Sequence, residues 1–274
     1  MTDLAELVTV LVCTSPTAND PSLAAINETI TSVRNFSDLY STPLLIGCDG
    51  ARPEQRHLAA AYEQKKQAIV DVARKGCEVL EMPAWGHQAN VARMLLERAT
   101  TPLILFLEHD TPFTPNVEID WPGCAQTIID GELDLIRFHH ESQVIPEHAH
   151  LMIDDDDKRT RRIPYLRTVQ WSQRPHLARA DWYRNLIGTY FARSSRCFVE
   201  DCLYGVVNYA WRIYGEAGWN RHKLALYADP EPTMQRSYHL DGRAGDPKGP
   251  QVFAFSDHSQ PEGAPAATLA RVFE

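Results

Sequence analysis

The sequence lacks the long hydrophobic runs of a membrane protein. Its apolar stretches, such as residues 103–107, are far shorter than the roughly 20 residues that a membrane-spanning helix needs. The first residues carry no basic region ahead of an apolar stretch, so no secretory signal is expected. These absences predict a protein without a membrane span that lies in the cytoplasm, or in the host cytoplasm if it is viral.

Two common kinds of binding motif are also missing. The six cysteines lie apart along the chain, without the paired spacing of a zinc site or a disulfide scaffold, and we expect reduced, mostly buried thiols. No glycine-rich loop follows the first apolar segment, which excludes a dinucleotide fingerprint and a P-loop. Any phosphate must therefore be held by other groups.

The charge is small for the length and unevenly spread. A net charge of −9 over 274 residues argues against binding of nucleic acid by the whole surface, and a hydrophobic fraction of 44% excludes disorder throughout. The segment from Lys158 to Arg184 nevertheless contains eight basic residues and one acid. This segment predicts a local basic surface that could meet phosphates.

Apolar and amphipathic stretches alternate in the first half of the chain. Strands are predicted at residues 7–13, 43–48, 77–82 and 103–107, and helices at residues 21–36, 54–75 and 87–99. Strands that are apolar on both faces and separated by helices indicate a mostly parallel sheet with helices on both faces. The predicted fold class is therefore α/β.

The second half is less regular. Strands are predicted at residues 133–138 and 144–153, an extended segment at 165–170 and a helix over 200–215. Residues 256–274 are rich in Ser, Pro, Gly and Ala, which predicts a loosely ordered tail. No linker is evident, so residues 1–115 and 116–255 are expected to form two halves of one domain.

Polar residues follow each predicted strand of the first half. Ligands bind at the carboxyl ends of strands in an open parallel sheet, so these residues predict a binding site. Carboxylate oxygens suit magnesium or manganese held against phosphate, which makes Asp110 the expected metal ligand. Ordinary turn chemistry before Gly50 is the alternative for Asp49, and a solvated loop is the alternative for Glu108 and Asp110.

The order of these segments resembles the nucleotide-binding half of GT-A glycosyltransferases, especially the large family-two group, over residues 1–115. The resemblance implies a GT-A-like fold and a base-binding role for Asp49. Glu108-His109-Asp110 stands where the family has its D-x-D metal motif, although Glu108 departs from the family's first aspartate, as in metal-independent relatives. The donor-binding residues that it implies are Thr14, Ser15, Pro16, Asp49, Asn90, Arg93 and Glu108.

The same resemblance implies roles in the second half. Inverting members use an acid near the acceptor as the base, which singles out Glu200 and Asp201, with Asp201 slightly ahead. The alternative for this pair is charge that complements a helix N-terminus. A late histidine often completes the metal shell: His239 fits best and His222 is the rival. Arg236 and Arg243 are expected to meet the donor diphosphate.

One segment mixes aromatic, guanidinium and imidazole groups at a density that a core rarely needs. Its side chains could stack on a sugar or base and reach phosphates. The alternative is a solvated basic face with aromatic anchors. The predicted acceptor-binding residues are Trp171, Arg174, His176, Arg179 and Trp182.

Together these features predict a glycosyltransferase with a UDP-sugar donor, a Mn²⁺ or Mg²⁺ ion and an inverting mechanism. A retaining mechanism is not excluded by the residues. The acceptor is expected to be a hydroxymethylated base in viral DNA, bound through the basic segment, or otherwise a polysaccharide or glycan. The alternatives are a nucleotidyltransferase of similar fold and a non-catalytic, sugar-binding relative.

Overall fold

The structure, a computed structural model, describes residues 3–72, 76–153, 161–229 and 232–240. Nine strands form one sheet in the order β3-β2-β1-β4-β8-β5-β9-β7-β6. The strands are β1 (Val8–Thr14), β2 (Leu44–Cys48), β3 (Cys77–Glu81), β4 (Leu103–Glu108), β5 (Leu135–Arg137), β6 (Met152–Ile153), β7 (Tyr165–Thr168), β8 (His176–Arg179) and β9 (Leu224–Tyr227).

The predicted α/β class is confirmed, but the sheet is mixed rather than mostly parallel. The pairs β1–β2, β2–β3, β1–β4 and β5–β9 are parallel, whereas β8 runs antiparallel to both β4 and β5. Strand β7 is antiparallel to its neighbours β6 and β9. Because β4 and β5 both oppose β8, their carboxyl ends lie at the same edge of the sheet as those of β1–β3.

Eight α-helices belong to the described part of the chain. They are α1 (Leu4–Leu7), α2 (Ala24–Arg34), α3 (Ala59–Val72), α4 (His87–Arg98), α5 (Trp121–Ile129), α6 (Ala180–Tyr190), α7 (Val199–Tyr214) and α8 (Glu216–Trp219). Within these same residues, every helix is too short or too polar to cross a bilayer. Sequence patterns missed α5, α6, β8 and β9.

The strand predicted at residues 144–153 is largely wrong. Pro146–Leu151 forms a 3-10 helix, and the strand that follows it contains two residues. Proline fixes φ near the helical value and lacks an N–H, so it favours the first position of such a turn. The predicted tail at residues 256–274 and the last part of the predicted second half lie outside the described residues.

The core is formed around the aliphatic strands. Every residue of β1 and β2 is buried, and α4 packs against both strands. Gly47 permits this close approach, because a Cβ there would lie 2.6 Å from Cγ1 of Val91. A cluster of edge-to-face and tilted rings fills the space beside β5 and includes Phe36, Phe113, Trp121 and Phe138. These contacts fix the edge of the sheet at which the polar strand ends meet.

Candidate active site

The loop after β1 is fixed through its main chain. The Thr14 carbonyl accepts hydrogen bonds from the Asp49 amide at 2.9 Å and from the Tyr62 hydroxyl at 3.2 Å. Thr14 and Pro16 are buried, whereas Ser15 is exposed. Thr14, Ser15 and Pro16 are the predicted donor-binding residues of this loop, and Ser15 is the most exposed of the three.

Asp49 caps the first turn of α4 from the end of β2. Its Oδ1 accepts from the Gly86 amide at 2.7 Å and from the Gly50 amide at 2.8 Å, and its Oδ2 accepts from the His87 amide at 3.0 Å. Burial raises the pKa of Asp49, and these three hydrogen bonds oppose that rise. A Cβ at Gly50 would lie 2.4 Å from the Trp85 nitrogen, so glycine permits the close approach. The carboxylate thus positions α4, and base binding stays a prediction.

A cationic and aromatic surface lies beside this cap. Arg52 NH2 is 3.0 Å from Nε2 of His87, and burial followed by the Arg52 charge lowers the pKa of that histidine. The Trp85 ring lies between Arg52 and Arg196, whose guanidinium carbons are 5.7 and 6.0 Å from its centroid. Arg52, His87 and Arg196 come from different parts of the chain, and the sequence patterns did not predict them as site residues.

The structure does not place Asn90 and Arg93 as donor contacts. Asn90 Nδ2 donates to the Gly86 carbonyl at 2.8 Å and to the Ser195 carbonyl at 2.7 Å. Arg93 donates to main-chain carbonyls at Ile187 and Phe191. Both side chains join α4 to the segments around α6, which corrects their predicted role.

Three possible metal ligands meet at the end of β4. One ligand atom each of Glu108, Asp110 and His239 lies within 4.8 Å of the other two. His239 Nε2 is 3.4 Å from Asp110 Oδ2, and His239 Nδ1 is buried without a hydrogen-bond partner. The Leu240 amide donates to the Asp110 carbonyl at 2.8 Å, so the segment around His239 runs beside the end of β4.

The electrostatics of this cluster suit a cation. Burial and then the charge of Asp110 raise the pKa of Glu108 to about 8, against a hydrogen bond of 2.6 Å from Gln88 Nε2. Two carboxylates that repel each other in a partly buried position would both be stabilised by a bound positive ion. Oxygen and imidazole ligands also match the preferences of manganese and other divalent ions.

The two predicted bases, Glu200 and Asp201, lie in the first turn of α7 but have different surroundings. Glu200 is half-buried, and its Oε2 accepts from the Gln173 amide at 3.0 Å. Burial raises the pKa of Glu200, and the charge of Glu200 is the smallest of the causes that raise the pKa of Glu108. Asp201 is exposed, and its Oδ2 accepts from the Phe198 amide at 3.1 Å at the N-terminus of α7. The geometry thus brings Glu200, rather than Asp201, to the site.

Three of the predicted acceptor contacts lie in the core. Trp171 and His176 are 1% and 0% exposed, and Trp182 stacks on Trp171 with centroids 5.9 Å apart. The His176 ring contacts both Phe106 and Tyr183, with centroids 5.2 and 5.6 Å away, and those two rings are 6.1 Å from each other. These rings fill the space between β8 and α6, which corrects the prediction that they contact an acceptor.

The two predicted arginines of β8 lie at opposite edges of the sheet. Arg174 precedes β8 at the site edge and pairs with Glu141, and its NH1 is 2.8 Å from His139 Nδ1. Arg179 is in register with Leu103, where β4 begins, and its NH2 is 2.9 Å from Asp134. Arg174 can therefore serve the site, and Arg179 is too far away.

The remaining predicted residues have other surroundings. Arg236 is buried and donates to the carbonyls of Thr233 and Asp229, so it holds its own segment together. His222 is buried beside Trp182, with centroids 6.4 Å apart, and does not belong to the group of possible metal ligands. Arg243 lies outside the described residues.

The basic segment does not form a continuous basic surface in the described residues. Several of its arginines pair with acids from other elements, and Arg184 donates to the main-chain carbonyls of Leu96 and Ala99. In each pair a carboxylate neutralises an arginine that would otherwise be available to a DNA phosphate. The pairs are Arg162–Asp130, Arg167–Glu216, Arg174–Glu141 and Arg179–Asp134.

Solved structures match the fold, although no family model and no curated protein matches the chain. GalNAc-T7 with UDP, GalNAc and Mn²⁺ aligns with a TM-score of 0.52 and 10% identity, over 82% of this chain and 43% of that chain. S. aureus TarS 1–349 in complex with UDP-GlcNAc aligns with a TM-score of 0.50 and 13% identity, over 88% of this chain and 60% of that chain. The chain thus spans less than two thirds of either protein, and the likeness shows a GT-A-type α/β fold.

Proposed function

We propose that this chain is a glycosyltransferase that moves a sugar from a nucleotide-sugar donor to an acceptor hydroxyl. The observation that carries the proposal is the cluster of Glu108, Asp110 and His239 at the carboxyl edge of a GT-A-type sheet. Two proteins with this fold were solved with UDP and a sugar or with a UDP-sugar, one of them with Mn²⁺. A UDP-sugar is therefore the expected donor, and membership of family two stays a prediction.

Glu108, Asp110 and His239 would hold a divalent ion. Their spacing, the repulsion between the two acids and the position of His239 Nε2 beside Asp110 fit such an ion. When bound, Mn²⁺ or Mg²⁺ supplies positive charge that stabilises the leaving diphosphate. Glu108 and Asp110 follow the strand directly, so β4 would set their orientation toward the donor.

Residues 1–115 supply most of the proposed donor site. Ser15 and the turn that Asp49 caps would contact the donor, and the Trp85 ring would stack on its nucleobase. Arg52 and, from the second half, Arg196 lie beside that ring and would attract the negative charge of the donor.

Residues 116–255 supply the proposed acceptor half, in which Glu200 is the base. Its carboxylate would take the proton of the acceptor hydroxyl while the hydroxyl oxygen bonds to the anomeric carbon. The bond from that carbon to the diphosphate oxygen breaks in the same step, which inverts the configuration. Burial raises the pKa of Glu200, which makes its carboxylate a stronger base.

A glycan is the acceptor class that we favour. The arginines that led to the DNA hypothesis are paired with acids in the described residues, and they lie on different elements. Arg174 remains at the site edge, but Glu141 holds it. A neutral, hydroxyl-rich acceptor needs no continuous basic surface.

The test is a donor hydrolysis and transfer assay. Purified full chain is incubated with UDP- and GDP-sugars, with Mn²⁺ or with EDTA, and with glycan or duplex DNA acceptors. We expect release of UDP that depends on Mn²⁺ and rises with a glycan. Asp201→Asn serves as the matched control for Glu200→Gln.

The same assay separates the alternatives. A nucleotidyltransferase would release pyrophosphate or form a nucleotidylated product, whereas a non-catalytic relative would bind the donor without turnover. No binding of any nucleotide sugar would overturn the proposal, and full activity in EDTA would remove its metal part.

A further inference from the structure

The first turn of α4 contacts both halves of the site through one side chain. Gln88 Nε2 donates to Glu108 Oε1 at 2.6 Å, and Gln88 Oε1 accepts from the Val199 amide at 2.9 Å. Gln88 is 7% exposed. A single buried amide therefore joins the end of β4 to the residue that begins α7.

An amide is suited to this position because its two ends have opposite hydrogen-bonding roles. A carboxylate needs a donor, whereas the first N–H groups of a helix need an acceptor, and glutamine offers both. An apolar side chain would leave one Glu108 oxygen without this donor. It would leave the Val199 amide with the Gln173 oxygen alone, 3.0 Å away when the Gln173 amide is oriented to satisfy its neighbours. A glutamate would place a third carboxylate against Glu108.

The linkage continues to Glu200, which follows Val199. The Gln173 amide donates to Glu200 Oε2 at 3.0 Å. With its side-chain amide oriented to satisfy its neighbours, the Gln173 oxygen lies 2.7 Å from the Glu200 nitrogen. Both the main chain and the side chain of Glu200 are therefore fixed relative to the segment that Gln88 anchors.

We propose that Gln88 is a positioning residue that holds Glu108 and Glu200 in one fixed relation. The roles of the two acids rest on the proposed function, but the linkage rests on the contacts alone. A partner that orients a metal-binding carboxylate is typically worth 10–100-fold in metal affinity or activity. The same amide would set the distance between the bound donor and the base.

Asn90 provides a matched control. It lies on the same turn of α4 and donates to the Ser195 carbonyl at 2.7 Å, so it also docks the segment that leads into α7. None of its hydrogen bonds involves Glu108. Asn90→Ala should therefore loosen the docking without disturbing the carboxylate.

The experiment compares the full chain with Gln88→Met, Gln88→Asn and Asn90→Ala. Mn²⁺ binding is measured by electron paramagnetic resonance, and amide exchange at the start of α7 by mass spectrometry. We expect both Gln88 variants to weaken Mn²⁺ binding by about 10–100-fold and to speed exchange near Val199. Asn90→Ala should speed exchange near Ser195 and keep the Mn²⁺ affinity.

Unchanged Mn²⁺ affinity together with unchanged exchange in folded Gln88→Met or Gln88→Asn would overturn this proposal. Equal loss of Mn²⁺ affinity in Asn90→Ala would also overturn it, because general loosening would then explain the effect. If the unmodified chain binds no Mn²⁺, the metal part of the proposed function fails. Exchange near Val199 then decides on the linkage alone.

Discussion

The acids at the end of β4 differ from two acids of the second half, Glu141 and Asp134, in what they face. Glu141 and Asp134 each pair with an arginine. Glu108 instead faces the amide of Gln88 and a neighbouring acid, and Asp110 faces His239 at 3.4 Å. Among the ion pairs of the described residues, neither Glu108 nor Asp110 has an arginine or lysine partner.

This difference separates structural acids from candidate functional acids. An acid that is paired with a guanidinium already has its countercharge, and removal of either partner mainly affects stability. Two adjacent acids without a countercharge destabilise the folded chain until a cation binds. The cluster at the end of β4 is thus the region where a local cost in stability points to function.

The largest expected effect follows from replacement of Asp110. Asp110→Asn keeps the volume of the side chain but removes charge toward the ion, so transfer should fall by three orders of magnitude or more, on the order of 4 kcal/mol. The fold should persist, because the change also removes repulsion against Glu108. Turnover, Mn²⁺ binding and melting temperature are measured together. Near-normal turnover would contradict the metal assignment.

The base comes next, and its neighbour serves as the control. Glu200→Gln should reduce transfer by roughly two to four orders of magnitude while donor binding stays almost unchanged. Asp201→Asn should keep turnover and weaken the hydrogen bond from the Phe198 amide at the start of α7, at a cost of about 0.5–1 kcal/mol in unfolding free energy. Turnover, donor affinity and thermal unfolding of both variants are compared. If Glu200→Gln keeps transfer within a few-fold, the base lies elsewhere.

The sequence predicted the donor half well because its signals are local. Continuous aliphatic runs mark β1, β2 and β4, and the acids after β4 follow in the chain directly. The order of strand ends was enough to bring Asp49 and Asp110 to one edge. His239 was found through the resemblance, and its position beside Asp110 depends on a main-chain pairing that no local pattern shows.

The second half was predicted poorly because its polar groups are stabilised by distant partners. Trp171 and His176 are residue types that are common in binding surfaces. They are buried here, because β8 lies between β4 and β5 in the sheet. The same cause affected part of the donor half, where Asn90 and Arg93 bind carbonyls more than ninety positions away in the chain. Gln88 was missed for the same reason, since both of its partners come from other elements.

The pH dependence of the melting temperature in EDTA tests the repulsion between Glu108 and Asp110 in the absence of a bound ion. The pKa of Glu108 is about 8 in the folded chain against an ordinary 4.5, so the folded state keeps a proton that the unfolded state loses. In EDTA, the melting temperature should therefore fall as pH rises from about 4.5 to about 8, and the contribution of Glu108 is complete only below that range. Glu108→Gln should remove part of this slope.

The difference in this slope between the unmodified chain and Glu108→Gln isolates the contribution of Glu108, because the other titrating groups are common to both. Mn²⁺ added at the upper end of the range should raise the melting temperature of the unmodified chain more than that of Glu108→Gln. The same slope in both proteins would mean that Glu108 does not hold its proton, and the contrast with the paired acids would lose its electrostatic basis.

The smallest effect is expected where a surface acid is already paired. Arg162 and Asp130 are 46% and 38% exposed at the side chain, so Arg162→Gln should change the unfolding free energy by about 0–1 kcal/mol. Arg98 pairs with Glu78 on a distant surface and provides Arg98→Gln as the control. Neither change should alter transfer. The unmodified chain should also show no shift with plain duplex DNA at low salt, because the arginines of the basic segment that the structure describes have protein partners. Salt-sensitive DNA binding that Arg162→Gln weakens and Arg98→Gln does not would instead make the basic segment a nucleic-acid surface and restore DNA as the acceptor class.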